Sequence, residues 1–154
     1  MRFISFIAAV AIAICSSCSD FHAMEARSVR QQIDAYVVAL NAADINLAAQ
    51  VWKTSDDVSF ISPMGHAHGW NEVRQIYQFF GTNFNDRKLV PRNIVIHMNG
   101  DSAWAEFYWH FHAKSIKDGK PVESDGRETQ IYNRLDEGWR LVHVHYSGPA
   151  QEFR

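Results

Sequence analysis

Residues 103–112 read Ala103-Trp104-Ala105-Glu106-Phe107-Tyr108-Trp109-His110-Phe111-His112. Each odd position is apolar, and each even position is polar or a polar-tipped aromatic. That period of two belongs to a β-strand with one buried face. Ala103, Ala105, Phe107, Trp109 and Phe111 are expected against the rest of the protein. Burying Glu106, His110 and His112 there without partners would cost several kcal/mol. Trp104, Glu106, Tyr108, His110 and His112 are then expected to face solvent or a second subunit.

On either side the same period continues. Strands are expected at Asn93–Met98, Ala103–Ser115, Glu123–Leu135 and Trp139–Ser147. Asn99-Gly100-Asp101, Lys117-Asp118-Gly119-Lys120-Pro121 and Asp136-Glu137-Gly138 supply turn chemistry between them, so neighbours pair antiparallel. Upstream, the spacing of Val29, Ile33, Val37 and Leu40 predicts a helix over Ala26–Asn41 with Ser28 as N-cap. A shorter helix follows over Asp44–Trp52, capped by Asp44. Val58–Ser62 reads as a strand stopped by Pro63, and Met64–Gly69 as a turn or hairpin. A third helix is expected over Asn71–Phe80, closed by Gly81. Helices first and then a long meander give an α+β fold, a curved antiparallel sheet with helices on its concave side.

The first nineteen residues are of another kind. Arg2, an apolar run from Phe3 to Ile14 and the small residues Cys15 to Ser19 follow the order of a secretory signal peptide. The run is shorter than the roughly 20 residues a spanning helix needs. An exported protein, periplasmic or secreted, is expected, with one domain over 20–154. Both cysteines lie in this segment, so neither is catalytic; Cys18 is alternatively the lipid-anchored first residue of a lipoprotein. The chain of 154 residues is 47% hydrophobic, with ten Phe, five Tyr and five Trp, enough for one core. A net charge of −2 and the lack of a basic stripe argue against a nucleic-acid partner.

The last strands, Gly126-Arg127-Glu128-Thr129-Gln130-Ile131-Tyr132-Asn133-Arg134 and Gly138-Trp139-Arg140-Leu141-Val142-His143-Val144-His145-Tyr146-Ser147-Gly148, resemble a known closing hairpin. It is that of the calcium/calmodulin-dependent protein kinase II association domain, with its Glu-Thr strand, Gly-x-Trp turn and Val-His-x-His-x-Ser-Gly. They are also similar to the SnoaL-like (polyketide-cyclase-like) group, and both lie in the nuclear transport factor 2-like superfamily. The resemblance spans Ala26 to Pro149. It implies a cone-shaped sheet wrapped around the N-terminal helices, a cavity at its wide end, and self-association through the outer sheet face as a homodimer or higher oligomer. Where the association domain has pocket-lining arginines, this chain has Trp109 and Gln130, so a preference for anionic ligands is not carried over.

Strand parity turns Glu128, Gln130 and Tyr132 toward that cavity. It turns Arg127, Thr129 and Ile131 outward, together with Trp139, His143 and His145. A bulge inverts parity, so the opposite reading, with Arg127, His143, His145 and Ser147 in the cavity, stays open. The expected pocket is Tyr36, Trp52, Phe60, Tyr77, Trp109, Glu128 and Gln130, holding a small apolar or aromatic molecule. Three His-x-His pairs, His66/His68, His110/His112 and His143/His145, raise the question of a metal. The resembled family has none, so the pairs are read as hydrogen-bonded outer-face histidines, and neither metal nor cofactor is expected. Superfamily members that isomerise or cyclise use an Asp or Glu base in an apolar pocket. Glu128 is the candidate base, with Tyr36, Tyr77 or Tyr132 as donor. Ligand binding, self-assembly without a ligand, and isomerase- or cyclase-like catalysis are the functions this sequence admits.

Overall fold

In a computed structural model the chain is described over residues 5–149, with side chains from Phe21 onward. The opening of the leader reading, Met1–Ile4, lies outside the described residues. Helix α1 spans Ser5–Ala42 and turns Val29, Ile33, Tyr36 and Leu40 into the core. Ser28 does not cap it. Its hydroxyl donates to the Met24 carbonyl one turn back, so the helix runs through that position. Helix α2 spans Ile45–Val51, and Asp44 caps it as expected by accepting from the backbone N–H groups of Asn46 and Leu47. Strands β1 (Ser59–Ser62) and β2 (Gly65–His68) form a hairpin.

Helix α3 spans Gly69–Asn83, longer than expected because Gly81 does not end it. A Cβ at Gly81 would come within 3.2 Å of the Ala43 Cβ, so this glycine permits close packing on the α1–α2 corner. The chain then enters β3 (Phe84–Asn99) directly, where the sequence suggested a strand from Asn93. Register shifts near Asp86 and Asn93, both with positive φ, break the period of two and hide the first half of the strand. Pro91 is tolerated because β3 is the sheet edge.

Strands β4 (Ser102–Ser115), β5 (Pro121–Leu135) and β6 (Gly138–Ser147) follow the expected meander. The order is β2-β1-β6-β5-β4-β3, and the two edges stay apart, so the sheet is unclosed. All neighbours are antiparallel except β1 and β6, which run parallel with Phe60 opposite Val144. The β4–β5 register is unbroken from Lys114↔Pro121 to Ser102↔Asn133. Ala103, Ala105, Phe107, Trp109 and Phe111 therefore share one buried face with Glu128, Gln130 and Tyr132.

Strand β6 carries a bulge at Val142, and parity flips there. Trp139 and Leu141 point in before it, and Val144 points in after it. The outward expectation for Trp139 is thus corrected: the indole is buried, and its Nε1 donates to Glu25 Oε2 at 2.6 Å. Among the described residues, no helix is long and apolar enough to cross a membrane.

Candidate functional site

A cavity of about 280 Å³ opens between α1, α3 and the concave sheet face. Tyr36 and Leu40 reach it from α1, Phe79 and Phe80 from α3, Phe60 from β1, and Trp109 and Phe111 from β4. Alternation along β4 delivers the last two side by side, and helical spacing delivers Tyr36 and Leu40. Phe80, Phe84 and Phe111 form one group with centroids 5.5 to 5.9 Å apart, Phe111 edge-to-face with each of the other two, which are tilted against one another. Tyr146 sits 5.7 Å from Phe60 and 5.6 Å from Trp109. The Trp109 ring lies against Gly126, its partner in register, where a Cβ would overlap it. Here glycine is required by close approach, and it makes room for the indole.

Glu128 brings a carboxylate into this wall at 5% exposure. Gln130 Nε2 donates to Glu128 Oε1 at 2.7 Å, Tyr132 donates to Gln130 Oε1, and the Tyr36 hydroxyl also bonds the carboxylate. Burial pushes the Glu128 pKa up to about 7, against the opposing pull of the Gln130 and Tyr36 hydrogen bonds. Burial, and the nearby carboxylate after it, likewise raise the Tyr36 and Tyr132 hydroxyls well above their usual range. Trp109 Nε1 is buried without a hydrogen-bond partner among the described residues.

Of the seven expected pocket residues, Tyr36, Phe60, Trp109 and Glu128 line the cavity. Trp52, Tyr77 and Gln130 stand behind the wall, fully buried, with Trp52 Nε1 donating to the Tyr77 hydroxyl at 2.9 Å. The alternative face is corrected. Arg127 and His145 are exposed, and His143 and Ser147 are half-buried on the opposite side, because the β6 bulge precedes His143 rather than following it. His143 Nδ1 there meets Ser59 Oγ at 2.7 Å. Burial, then His145 and His66, lower its pKa.

Sequence reasoning missed Leu40, Phe79, Phe80, Leu89, Phe111 and Tyr146 as wall residues. Phe111 was legible in the β4 alternation. Leu89 was not, because bulged β3 has no clean period. A groove of about 470 Å³ adjoins the cavity between α3 and the β1–β2 hairpin, sharing Phe60, Met64, Phe79, Phe80 and Tyr146 with it. Among the described residues, no three His, Cys, Asp or Glu side chains are grouped to hold a metal ion. His110 instead pairs with Asp125 at 3.0 Å, and the His66 and His68 rings lie 3.7 Å apart.

The family model for the SnoaL-like domain matches residues 29–151. A nuclear transport factor 2-like superfamily protein from Salmonella enterica serovar Typhimurium LT2 has a similar structure, with a TM-score of 0.82 and 34% identity, over 86% of this chain and 96% of that one. A candidate dehydratase of the same superfamily from Streptomyces avermitilis aligns with a TM-score of 0.75 at 19% identity, over 83% and 98% of the two chains. A ketosteroid isomerase-like protein from Erwinia carotovora atroseptica SCRI1043 gives 0.69 at 18%, over 82% and 98%. At these two lower identities the likeness is one of fold. No curated protein matches the sequence.

Proposed function

The chain belongs to the SnoaL-like domain family of the nuclear transport factor 2-like superfamily, and from that premise we propose that its cavity binds a small, mostly apolar molecule on which Glu128 performs proton transfer. One observation carries this reading: a carboxylate with raised proton affinity stands in a wall that is otherwise mostly aromatic and aliphatic. A base poised near neutral pH both accepts and returns a proton efficiently. In the step we propose, a C–H bond beside a carbonyl breaks and its proton passes to Glu128. The electron pair moves toward the carbonyl oxygen. Return of the proton to another carbon completes an isomerisation; in a dehydration the C–O bond of a hydroxyl on the neighbouring carbon breaks instead, and that oxygen takes the proton from Glu128 and leaves as water.

Tyr146 is the wall tyrosine whose hydroxyl is available to that oxygen, since the Tyr36 hydroxyl is held by the Glu128 carboxylate. Tyr77 and Tyr132 are engaged behind the wall. The isomerase-like and dehydratase-like descriptions of the structural neighbours are compatible with this chemistry.

The test is deuterium exchange into a panel of enolisable cyclic and aromatic ketones, followed by NMR. The wild-type protein should exchange at least one of them, at a rate rising with pH through about 7. Glu128→Gln should slow that exchange by at least about 100-fold. Equal rates in the two proteins would remove Glu128 from the chemistry.

The outer sheet face favours a second property, self-association. Tyr108 is 56% exposed, Val95 51% and Trp104 38%, with His97 stacked on Trp104 at 4.7 Å. Grouped exposed apolar residues of this kind mark contact surfaces. We read them as a homodimer face, so Trp104→Asp with Tyr108→Asp should convert a dimer to a monomer in light scattering. A wild-type monomer at micromolar concentration excludes it. Export remains part of the proposal on the strength of residues 1–19. N-terminal sequencing of the protein from an expressing bacterium should start at Asp20, or at Cys18 if lipid-anchored, and not at Met1.

A further inference from the structure

We propose that Gln130 and Tyr132 are positioning residues that hold Glu128 in its proton-accepting form, Tyr132 fixing the direction of the Gln130 amide and the amide presenting its N–H to the carboxylate. The inference rests on Glu128 being the proton acceptor of the cavity. Residues 128, 130 and 132 are alternate positions of one strand, so their side chains rise from one face in a row. All three are buried, and neither Gln130 nor Tyr132 lines the cavity. Their influence on a ligand therefore passes through Glu128.

Direction follows from counting protons. A glutamine amide has an acceptor end and a donor end. With the Tyr132 hydroxyl donating to Oε1, the Nε2 end faces Glu128 and donates to it at 2.7 Å. That orientation suits an ionised carboxylate. The reversed amide would present Oε1 to Glu128, which only a protonated carboxyl can satisfy. Nε2 would then donate to the Tyr132 oxygen, and the hydroxyl proton of a fully buried side chain would lose its acceptor. Stranding a buried donor is costly, so the tyrosine biases the amide, and the amide biases the carboxylate.

No cation assists. The titratable groups around Glu128 are Tyr36 from α1, Tyr77 from α3, Tyr132 from its own strand and Tyr146 from β6, and burial raises the pKa of each hydroxyl. All stay neutral in the range where Glu128 titrates. Hydrogen bonds alone therefore offset the cost of burying its charge, and two of the links pass through Gln130.

The experiment is a carboxyl-carbon NMR titration of Glu128, assigned by its disappearance in Glu128→Gln. It needs no substrate, so it reports even if no turnover is found. A wild-type midpoint near 4 would show instead that Glu128 is no poised base. Tyr132→Phe removes one hydroxyl and should raise the midpoint by about one pH unit. Gln130→Met should raise it further. The double variant should titrate like Gln130→Met alone, because Tyr132 acts only through the amide. An unchanged or lowered midpoint in Tyr132→Phe overturns the proposal, and so does a Tyr132→Phe effect that persists in full on the Gln130→Met background.

Discussion

Glu128 couples the cavity to the stability of the protein. Its folded pKa of about 7 lies above the ordinary 4.5, so folding favours the protonated form. The site is well accommodated below pH 4.5, and the penalty of ionising it grows as pH rises through about 7. Two to three units correspond to about 3 kcal/mol at full development. Glu128→Gln should therefore unfold at a higher temperature than wild type at pH 8, and the gap should shrink toward pH 4.5. Thermal unfolding followed by circular dichroism at both pH values checks this. A gap independent of pH would mean that the carboxylate is not desolvated. The inward direction of Glu128 could be read from strand parity, but its partners could not. Alternation says that 128, 130 and 132 share a face without saying which atoms meet.

At the scale of elements, clean periods were legible and irregular ones were not. Strand β4 alternates without interruption, and its faces agree with the pattern. Strand β3 breaks twice, at Asp86 and Asn93, so half of it was invisible, and Leu89 with it. The bulge at Val142 put Trp139 inside against expectation. Ends of helices divided in the same way. Asp44 caps α2 by short-range geometry that a sequence does carry, and Asp44→Ala should cost about 1 kcal/mol in a urea-unfolding measurement. Loss of well under half that amount would show the cap to be idle. Gly81 looked like a terminator and is a packing position, a distinction that depends on Ala43, far away in the chain.

For the whole molecule, the unclosed sheet creates the hollow. Helices α1 and α3 cover the concave side incompletely, and aromatic side chains too large to interdigitate fully leave about 280 Å³ between them. That volume is near the lower end of small-molecule sites, which points to a compact ring system rather than a long chain. The unpaired face of Trp104 and Tyr108 lies on the other side of the same sheet. A subunit docked there would leave the cavity unobstructed, so binding and self-association can coexist, and the double aspartate variant should keep the exchange activity of the cavity.

The sequence by itself determined the α+β class, the order of helices and strands, the apolar face of Trp109 and the inward row of Glu128, Gln130 and Tyr132. These follow from local periodicity and turn chemistry, which act over a few residues. Only the tertiary structure decided which aromatics reach the hollow and which, like Trp52 and Tyr77, stand behind it. It also chose between the two faces of β6 and joined Tyr36 to Glu128 across ninety-odd positions of chain. Those outcomes depend on bulges and on the packing of distant elements, where one inserted residue reverses every side chain beyond it.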